Sequence, residues 1–361
     1  MVDNKKTNSC CTSSSCCDNP ELESTIKTVS TTLTFKDHLG AWKARLGIGR
    51  MDYKIEPGLH AVGNPDNESP VLVSANYKLT FDTLRKNLAG INCWLLILDT
   101  KGINVWCAAG KGTFGTDELV RRIESSELSK YVSHKKLVLP QLGATGVSAH
   151  KVKQQSGFNV VYGPIRASDI KGYVEADYTA TKDMRTVQFN LWDRLVLTPM
   201  ELLPALKYSL PVFGTMFFVN ELAKNRFINV RFVANPFDKT DYLANAGAII
   251  AGSVLTPALL PYIPGKTFSF KGWLMGFGCT TAVLGLTGKL KKGHGLLPLG
   301  HLLLFPAISS FLAMNFTGST TFTSPSGVNK EMRKALPFIV GAAAAGTILT
   351  LGAHLFGRRK K

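Results

Sequence analysis

The charged residues of this 361-residue chain are unevenly distributed, and this constrains its fold more than any other feature. Residues 1 to about 195 alternate apolar runs with charges, whereas long stretches from Pro199 onward carry almost none. The mean hydropathy of +0.07 resembles that of an ordinary globular protein only because it averages these two halves. Such an asymmetry excludes a single soluble domain, a disordered chain and a disulfide-rich secreted module.

Five apolar segments in the second half each run for about twenty residues, the length of helix that crosses a bilayer. The last four are rich in Gly, Ala and Ser, and Gly272 and Gly276 form a GxxxG pair, so close helix packing in lipid is expected. The first contains Glu201, Lys207 and three prolines, so it either crosses the membrane or lies on its surface. We predict an all-α transmembrane bundle of four or five helices over residues 196–361. The segments are Pro199–Val219, Tyr242–Pro264, Phe268–Gly288, Leu296–Met314 and Ala335–Phe356.

The chain is strongly basic, with 42 Lys and Arg against 25 Asp and Glu and a formal charge of +17. These residues are spread out rather than arranged in a stripe with aromatic residues, so we expect no nucleic-acid partner. The densest groups, 289–292 and 358–361, flank apolar segments, where membrane proteins place positive charge. Four spans keep both groups cytoplasmic, whereas five place the C-terminal group outside. We predict a multi-pass protein of the cytoplasmic (inner) membrane, surrounded by lipid, with its soluble half in the cytoplasm.

Residues 1–34 form a polar stretch rich in Cys, Ser and Thr, which we predict to be a disordered tail. It has no apolar segment of the kind found in a cleavable signal peptide. Its four cysteines form two doublets without the C-x-x-C spacing of zinc or iron–sulfur sites. They are either incidental thiols or a flexible scavenger of soft metal ions. The four are Cys10, Cys11, Cys16 and Cys17.

Residues 35–195 show the alternation of short apolar strands and helices that is typical of an α/β domain. The predicted strands are Val71–Ser74, Cys93–Leu98, Lys136–Leu139 and Asn159–Tyr162, and amphipathic helices lie between them. This pattern indicates a Rossmann-like, mainly parallel sheet covered on both faces. Ligands of such sheets bind beyond the carboxyl ends of the strands. The residues that follow the strands are Asn76, the loop 102–115 and the turns 143–146 and 163–167.

The most informative stretch follows the second of these strands and reads N-V-W-C-A-A-G-K over Asn104–Lys111. Its glycines match neither the P-loop nor the dinucleotide-binding pattern. Cys107 is flanked by Trp106 and by three tiny residues, which let a broad, flat group approach the backbone of a helix start. Nearby backbone N–H groups there favour a thiolate. The alternative is a reduced core cysteine in a tight strand–helix turn.

Asn104–Lys111 resembles the signature of the corrinoid protein family of microbial mercury methylation, N-[VI]-W-C-A-[AG]-G-K, at all eight positions. The resemblance extends over residues 70–185, and these segments also resemble the corrinoid domain of the large subunit of the acetyl-CoA-pathway corrinoid iron–sulfur protein. The membrane half and the loop 317–332 are similar to the mercury family alone. The resemblance implies a cobalamin-type corrinoid held over the carboxyl edge of the sheet.

The same resemblance assigns roles to individual residues. Cys107 matches the cysteine proposed as the lower axial ligand of cobalt, so it is both the catalytic residue and the metal ligand. For the glycine turns, ordinary turn geometry is the alternative. The residues implied to contact the corrinoid are Ser74, Thr80, Asn104, Val105, Trp106, Ala108, Ala109, Gly110, Lys111, Thr113, Gly143, Ala144, Thr145, Gly146, Gly163, Pro164 and Ala167.

None of the seven histidines lies in the D-x-H-x-x-G pattern by which many cobalamin proteins bind cobalt. Cys107 is therefore the best candidate for a protein ligand to cobalt, or there is none. Three histidines lie at or within the apolar segments, and we expect them to be packing or interfacial groups. They are His294, His301 and His354.

The resemblance implies a methyltransferase that moves a methyl group from a methyl-Co(III) corrinoid to Hg(II), giving methylmercury. The alternative is a membrane-anchored methyl carrier in the one-carbon metabolism of the acetyl-CoA pathway. The implied partners are a ferredoxin-like protein with two four-iron–four-sulfur clusters and a folate-linked methyltransferase that donates the methyl group. A transporter is disfavoured, because His301, His354 and Lys207 have no obvious ionisable partner in the spans.

Overall fold

The computed structural model describes residues 26–224, 237–291, 295–320, 323 and 325–356. The four cysteines of the N-terminal tail, His294 and the basic group 358–361 lie outside the described residues. The first half of the chain is an α/β domain in which short helices alternate with strands. Its strands are β1 (Lys27–Val29), β2 (Gly58–Val62), β3 (Val71–Ala75), β4 (Cys93–Leu98), β5 (Lys136–Leu139) and β6 (Asn159–Tyr162). Its helices are α1 (Phe35–Arg45), α2 (Lys78–Lys86), α3 (Val105–Lys111), α4 (Thr116–Ser125), α5 (Ala149–Ser156) and α6 (Ile170–Glu175).

The six strands form one mixed sheet in the order β1-β2-β4-β3-β5-β6. β3 to β6 are mutually parallel, which confirms the predicted mainly parallel sheet. β2 runs antiparallel to β4, and β1 pairs in parallel with β2. The sequence analysis missed both of these strands. β1 also lies inside the range 1–34 that was predicted to be disordered, because its pairing with β2 orders the end of that tail.

The strands in the middle of the sheet are buried on both faces. Every residue of β3 and β4 is buried, as expected for parallel strands covered by helices. One apolar cluster packs β3 and β4 against α3 and α4, and a second packs their other face against α2 and Tyr173 of α6. The two clusters hold the carboxyl ends of the parallel strands at one edge of the domain.

An ion-pair network joins α1 to α2. Lys78 bridges Asp37 and Asp82 at 2.6 and 2.7 Å, and Arg85 bridges the same two carboxylates at 2.9 and 2.8 Å. Burial raises the pKa of the Asp37 carboxyl, but hydrogen bonds from Lys78 and Thr34 outweigh it and hold that pKa well below its usual range. Arg85 also donates to the carbonyl oxygens of residues 30 and 32, so the network anchors the chain after β1.

The second half is helical. A short helix, α7 (Leu191–Leu195), leads into it, and buried Arg194 of α7 donates to the carbonyl oxygen of Ala258 at 3.1 Å. This bond ties the α/β domain to the helices that follow. They are α8 (Thr198–Lys224), α9 (Lys239–Ile250), α10 (Thr256–Ala258), α11 (Phe268–Leu286), α12 (Leu297–Phe316) and α13 (Pro325–Phe356).

Among the described residues, three helical stretches are long and apolar enough to cross a membrane: Leu191–Leu222, Leu297–Ser319 and Ser326–His354. The predicted four or five spans are therefore not confirmed. The doubtful first segment is one of the three, despite its charges. The segment 242–264 is interrupted after α9 by a π-helical stretch, Ala251–Leu255. α11 contains Lys271, whose ammonium donates to two backbone carbonyl oxygens in the preceding loop at 2.6 and 2.7 Å.

The small residues of α11 pack against α12, as the GxxxG pair predicted. A Cβ added at Gly276 would lie 2.9 Å from the Cα of Pro306, and one at Gly272 would clash with Ala313. Ser309 donates to the carbonyl oxygen of Gly272 at 2.8 Å across the same contact. Close approach of the two backbones thus depends on glycine at both positions.

One expectation about the helical half of the chain is wrong. His301 and His354 were expected to lack ionisable partners, but both lie beside Asp241 of α9, with Nε2 of each within 2.9 and 3.1 Å of the same carboxylate oxygen. Asp241 is separated from them by 60 and 113 residues, so no sequence pattern joins the three. Lys207 is exposed.

Candidate functional site

A cavity of about 420 Å³ opens at the carboxyl ends of β3, β5 and β6. Its lining comes from the ends of those strands, from one face of α2, from the first turn of α3 and from Val196–Met200 at the start of the helical half. Most of the lining is apolar, including Leu72, Val138 and Ile165. Ligands of parallel α/β sheets bind at this edge, so the cavity lies where the sequence predicted a site.

The cavity also contains hydroxyl groups in an otherwise apolar wall. Ser74, Thr80 and Thr83 line it together with Tyr77, which is 3% exposed. The Tyr77 hydroxyl has no hydrogen-bond partner among the described residues. Burial raises the pKa of this phenol, so it is protonated at neutral pH. A buried hydroxyl without a partner, on a residue that lines a cavity, is a candidate donor to a ligand.

The helix α3 lies beside the cavity and contains the sequence signature. Asn104 caps it: its Oδ1 accepts a hydrogen bond from the backbone N–H of Cys107 at 2.9 Å. Gly112 ends it in the left-handed conformation, at φ 80°. Ala108 and Ala109 face the core and are buried, whereas Gly110 is exposed. The small residues therefore serve two faces of the helix: two pack inward and one leaves the outer surface bare.

Asn76, at the end of β3, holds the loop that leads into α3. Its Oδ1 accepts from the backbone N–H groups of Thr100 and Gly102 at 3.1 and 3.0 Å, and its Nδ2 donates to Asp99 at 3.2 Å. Lys101 and Gly102 both have positive φ, so the loop is tightly turned between these bonds. The amide of one buried side chain thus fixes the position at which Asn104 starts α3, which we call the cap helix.

The turn 143–146 packs against the same region from the side of the core. A Cβ added at Gly143 would lie 2.6 Å from the ring of Phe114, and one at Gly146 would lie 3.0 Å from the Cα of Ala109. These glycines are needed for close packing beneath α3. Thr145 and Gly146 line a separate polar cavity of about 430 Å³ instead of the apolar one.

The structure brings together about half of the residues predicted to contact a corrinoid. Ordinary packing explains the turn 143–146, and the rest of α3 lies outside the cavity wall. A cofactor contact for these residues stays a prediction. Those that line the apolar cavity are Ser74, Thr80, Asn104, Val105, Trp106, Gly163, Pro164 and Ala167. Those that do not line it are Cys107, Ala108, Ala109, Gly110, Lys111, Thr113, Gly143, Ala144, Thr145 and Gly146.

Cys107 is half-buried, with its backbone fixed by the Asn104 cap. Cys93 is fully buried, and burial raises the pKa of its thiol to about 12. Of the free cysteines in the described part of the α/β domain, Cys107 is therefore the accessible one. Its role as a cobalt ligand is not tested by this geometry.

The sequence analysis missed several residues that line the cavity. Tyr77 directly follows Asn76, so its position after a strand was the available signal. Arg45 and Arg50 come from the segment before the sheet, and no local pattern marks them. Arg50 lies 5.5 Å from the centre of the Tyr77 ring and contacts the sulfur of Met200 at 3.0 Å, which closes one side of the cavity.

The cavity residues suit the group that the resemblance implies. A corrin is broad and flat, with apolar faces and amide arms that carry carbonyl oxygens. The apolar wall matches its faces, and the free Tyr77 hydroxyl with the Ser74 and Thr80 side chains offers donors for amide oxygens. No Asp or Glu lines the described cavity, so it accommodates an oxygen-rich ligand without carboxylate repulsion.

Comparison with known proteins gives matches to the α/β domain. Residues 49–174 match the family described as CO dehydrogenase/acetyl-CoA synthase delta subunit. The acetyl-CoA decarbonylase/synthase complex subunit gamma of Archaeoglobus fulgidus is 33% identical over 131 residues, which is 36% of this chain and 27% of that protein. The corresponding subunit of Methanopyrus kandleri is 33% identical over 130 residues, 36% of this chain and 28% of that one.

The family match ends at residue 174, before the helical half, and each of the two relatives aligns with 36% of this chain. The chain covers about a quarter of the relatives it matches, 27% and 28% of the two named above. Neither relative is named for mercury, so the mercury assignment still rests on the Asn104–Lys111 resemblance. The predicted likeness to an acetyl-CoA-pathway subunit is confirmed. Over residues 49–174 this chain is similar to subunits of the CO dehydrogenase/acetyl-CoA synthase and acetyl-CoA decarbonylase/synthase complexes.

Proposed function

We propose that this chain is a membrane-attached corrinoid protein that takes part in methyl transfer. The observation that carries the proposal is the apolar cavity at the carboxyl edge of the sheet, which has an unpartnered buried hydroxyl and borders the Asn104–Lys111 helix. The similarity to acetyl-CoA-pathway subunits supports it over the same residues. The three long apolar helices support attachment to a membrane.

A bound corrinoid supplies cobalt, which accepts and releases methyl groups. Tyr77, Ser74 and Thr80 would hold its amide arms, while Trp106 and the apolar wall exclude water from its faces. Cys107 would bind the cobalt through its thiolate, since a thiolate suits a soft, low-valent metal. The Asn104 cap would act through Cys107 by fixing the backbone that carries the thiol.

Arg45 and Arg50 would bind a phosphate group of the cofactor. Both residues line the cavity, Arg50 also contacts Met200 at the start of the helical half, and no carboxylate of the described residues lines the cavity with them. Arg–phosphate pairs give strong, oriented hydrogen bonds. Corrinoids with a nucleotide tail carry such a phosphate, whereas cobinamide, which lacks the tail, does not.

The first candidate for the acceptor is a carbon-pathway partner, so that the chain acts as a methyl carrier in one-carbon metabolism. The relatives are subunits of acetyl-CoA decarbonylase/synthase complexes, and this supports a carbon-pathway acceptor better than a mercury acceptor. A folate-linked methyltransferase would supply the methyl group. A carrier of this kind also needs electrons at low potential, and this chain has no iron–sulfur spacing of its own. A ferredoxin-like protein with two four-iron–four-sulfur clusters would supply them.

The second candidate acceptor is Hg(II), which gives methylmercury as product. Two observations favour it. The segment Asn104–Lys111 matches the mercury-methylation signature at eight positions, and the family match to the carbon pathway, over residues 49–174, does not reach the helical half. The electron-rich thiolate of Cys107 would make a bound corrinoid a better methyl donor to a soft, electrophilic metal ion.

Cofactor binding is tested with the purified full chain in detergent. Hydroxocobalamin is added, and binding is followed by equilibrium dialysis and by the absorbance of the bound cobalt. We expect Tyr77→Phe to weaken binding about fivefold to tenfold, the loss of one hydrogen bond. Arg45→Ala should weaken binding of cobalamin and leave cobinamide unchanged, with exposed Arg121→Ala as the control. If neither cobalamin nor cobinamide binds, the proposal is wrong.

The acceptor is tested in strictly anaerobic membranes that contain this chain, the ferredoxin-like partner, a corrinoid and an isotope-labelled methyl-folate donor with its methyltransferase. Labelled methylmercury that appears on addition of Hg(II), and disappears with Cys107→Ala, supports the mercury acceptor. Label that stays bound to the chain and never reaches Hg(II) supports the carrier. Absence of label from the chain would overturn both.

A further inference from the structure

Three ionisable side chains meet inside the helical half. Asp241 of α9, His301 of α12 and His354 of α13 offer ligand atoms that all lie within 4.8 Å of one another. Asp241 is 2% exposed and His301 is fully buried. Each residue comes from a different helix, so the cluster is a product of the bundle's packing rather than of a local motif.

Burial of these groups is costly, and nothing in the packing alone requires them. A charged or protonatable group inside a membrane domain is rare, and such groups mark ion or substrate sites. One oxygen of the Asp241 carboxylate, Oδ2, accepts a hydrogen bond from the backbone N–H of Asp238 at 2.9 Å. Its Oδ1 is left to the two imidazoles alone.

Further polar atoms surround the cluster without hydrogen-bond partners in the described part of the chain. They are Nδ1 of His301 and the hydroxyl oxygens of Thr240 and Thr350, and all three residues are at least nine-tenths buried. A carboxylate only accepts, so Nε2 of His301 carries the proton that it donates to Asp241, whereas Nδ1 has no partner among the described residues. A cation that replaces this hydrogen bond would take the lone pair of Nε2, and the proton would then reside on Nδ1.

A cavity of about 500 Å³ adjoins the cluster. Among the described residues, its wall is apolar apart from five polar ones: Thr215, Asp241, Asn245, Thr347 and Thr350. It gives an exogenous ligand room beside the carboxylate. Zinc sites with three protein ligands keep a fourth position open for water or another exogenous ligand, whereas structural zinc sites are closed by four protein ligands.

The distances also suit a metal ion. Nε2 of His301 and of His354 lie 2.9 and 3.1 Å from Oδ1 of Asp241. Ligands bound at about 2.0–2.1 Å in a tetrahedron are separated by roughly 3.3 Å, close to both of these nitrogen–oxygen distances. Two imidazoles and one carboxylate form a donor set for borderline divalent ions such as Zn²⁺ and Co²⁺.

We propose that Asp241, His301 and His354 form a divalent transition-metal site in the helical half, open to the neighbouring cavity. The site binds an ion of the Zn²⁺ class through Nε2 of each histidine and the Asp241 carboxylate. It is separate from the cavity at the sheet edge and does not depend on a corrinoid.

The probe is Co²⁺, whose visible absorbance reports four-coordinate binding, followed by competition with Zn²⁺. The full chain in detergent is used with its tail cysteines, Cys10, Cys11, Cys16 and Cys17, changed to serine, because thiolates there would also bind the probe. We expect one Co²⁺ per chain with nitrogen and oxygen ligands by X-ray absorption. No corrinoid is added, so failure here is distinct from failure of the proposed function.

The test variants are His354→Gln and Asp241→Asn, each of which keeps the size of the side chain. Both should weaken Co²⁺ binding at least about tenfold. His150→Gln, at an exposed position of α5, is the matched control and should bind as the parent does. His354 is the least buried of the three ligands, so its variant is the one to use if Asp241→Asn does not fold. A parent chain that binds neither ion, or a folded His354→Gln chain that binds as tightly as the parent, overturns the proposal.

Discussion

The Asn76→Ala substitution tests how the cap helix is held against the sheet. Asn76 is 2% exposed, and its Oδ1 accepts from the backbone N–H groups of Thr100 and Gly102. Both donors are buried, so alanine leaves them without an acceptor. An unsatisfied buried donor costs roughly 1–3 kcal/mol, and we take about 3 kcal/mol for the pair because water enters part of the space. For a domain of this size, this corresponds to a fall in Tm of about 6–12 °C.

The measurement is thermal unfolding of the full chain in detergent, with hydrogen exchange of the peptide over residues 99–112 as the local readout. Asn159→Ala, at an exposed position of β6, is the control and should cost less than about 0.5 kcal/mol. We expect exchange in 99–112 to rise in Asn76→Ala alone. If Asn76→Ala behaves as the control does in both assays, the hydrogen bonds of this amide do not hold the loop, and the reasoning is refuted.

Three further results are expected. Gly146→Ala should destabilise the chain by about 1–3 kcal/mol and loosen α3 in hydrogen exchange, since its Cβ would clash with backbone. Gly110→Ala, whose Cβ meets no atom within 4 Å, should leave Tm unchanged or slightly raised, so equal losses in the two variants would contradict the packing. Thermal stability should fall as pH drops below about 4, because the folded-state pKa of Asp37 is depressed and its contribution is lost on protonation. Asp37→Asn should flatten that decline between pH 5 and 3, and an unchanged pH profile would contradict it. Deleting residues 1–25 should leave Tm unchanged, whereas deleting 1–30 removes β1 and should lower it; an equal effect of the two truncations would show that β1 adds no stability.

Local patterns predicted the parallel strands well. β4 was predicted at its observed bounds because six consecutive apolar residues end at an Asp-Thr-Lys-Gly turn. β1 and β2 were missed for a physical reason. β1 is a short, partly exposed edge strand, and β2 lies between it and β4. The strand conformation of both depends on pairing with chain that is distant in sequence.

The candidate site, like the sheet, was predictable from the sequence only where its residues are neighbours in the chain. The Asn104 cap and the small residues of α3 are neighbours in sequence, so their pattern identified the helix. Tyr77, Arg45 and Met200 line or close the cavity from segments that lie far apart in the chain. Only the folded sheet brings them to one edge. Gly143 and Gly146 were identified from the sequence because they follow a strand. They pack against Phe114 and Ala109 and do not line the apolar cavity.

The sequence by itself determined the two-part organisation, since charge and apolar length are set by composition along the chain. It also determined the parallel strands and the cap helix, since period and capping are local properties. Tertiary structure alone decided which helices are long enough to cross a membrane without interruption. It also decided that Asp241 meets His301 and His354. Three helices that pack side by side bring these residues within hydrogen-bond distance, and no pattern along the chain records that contact.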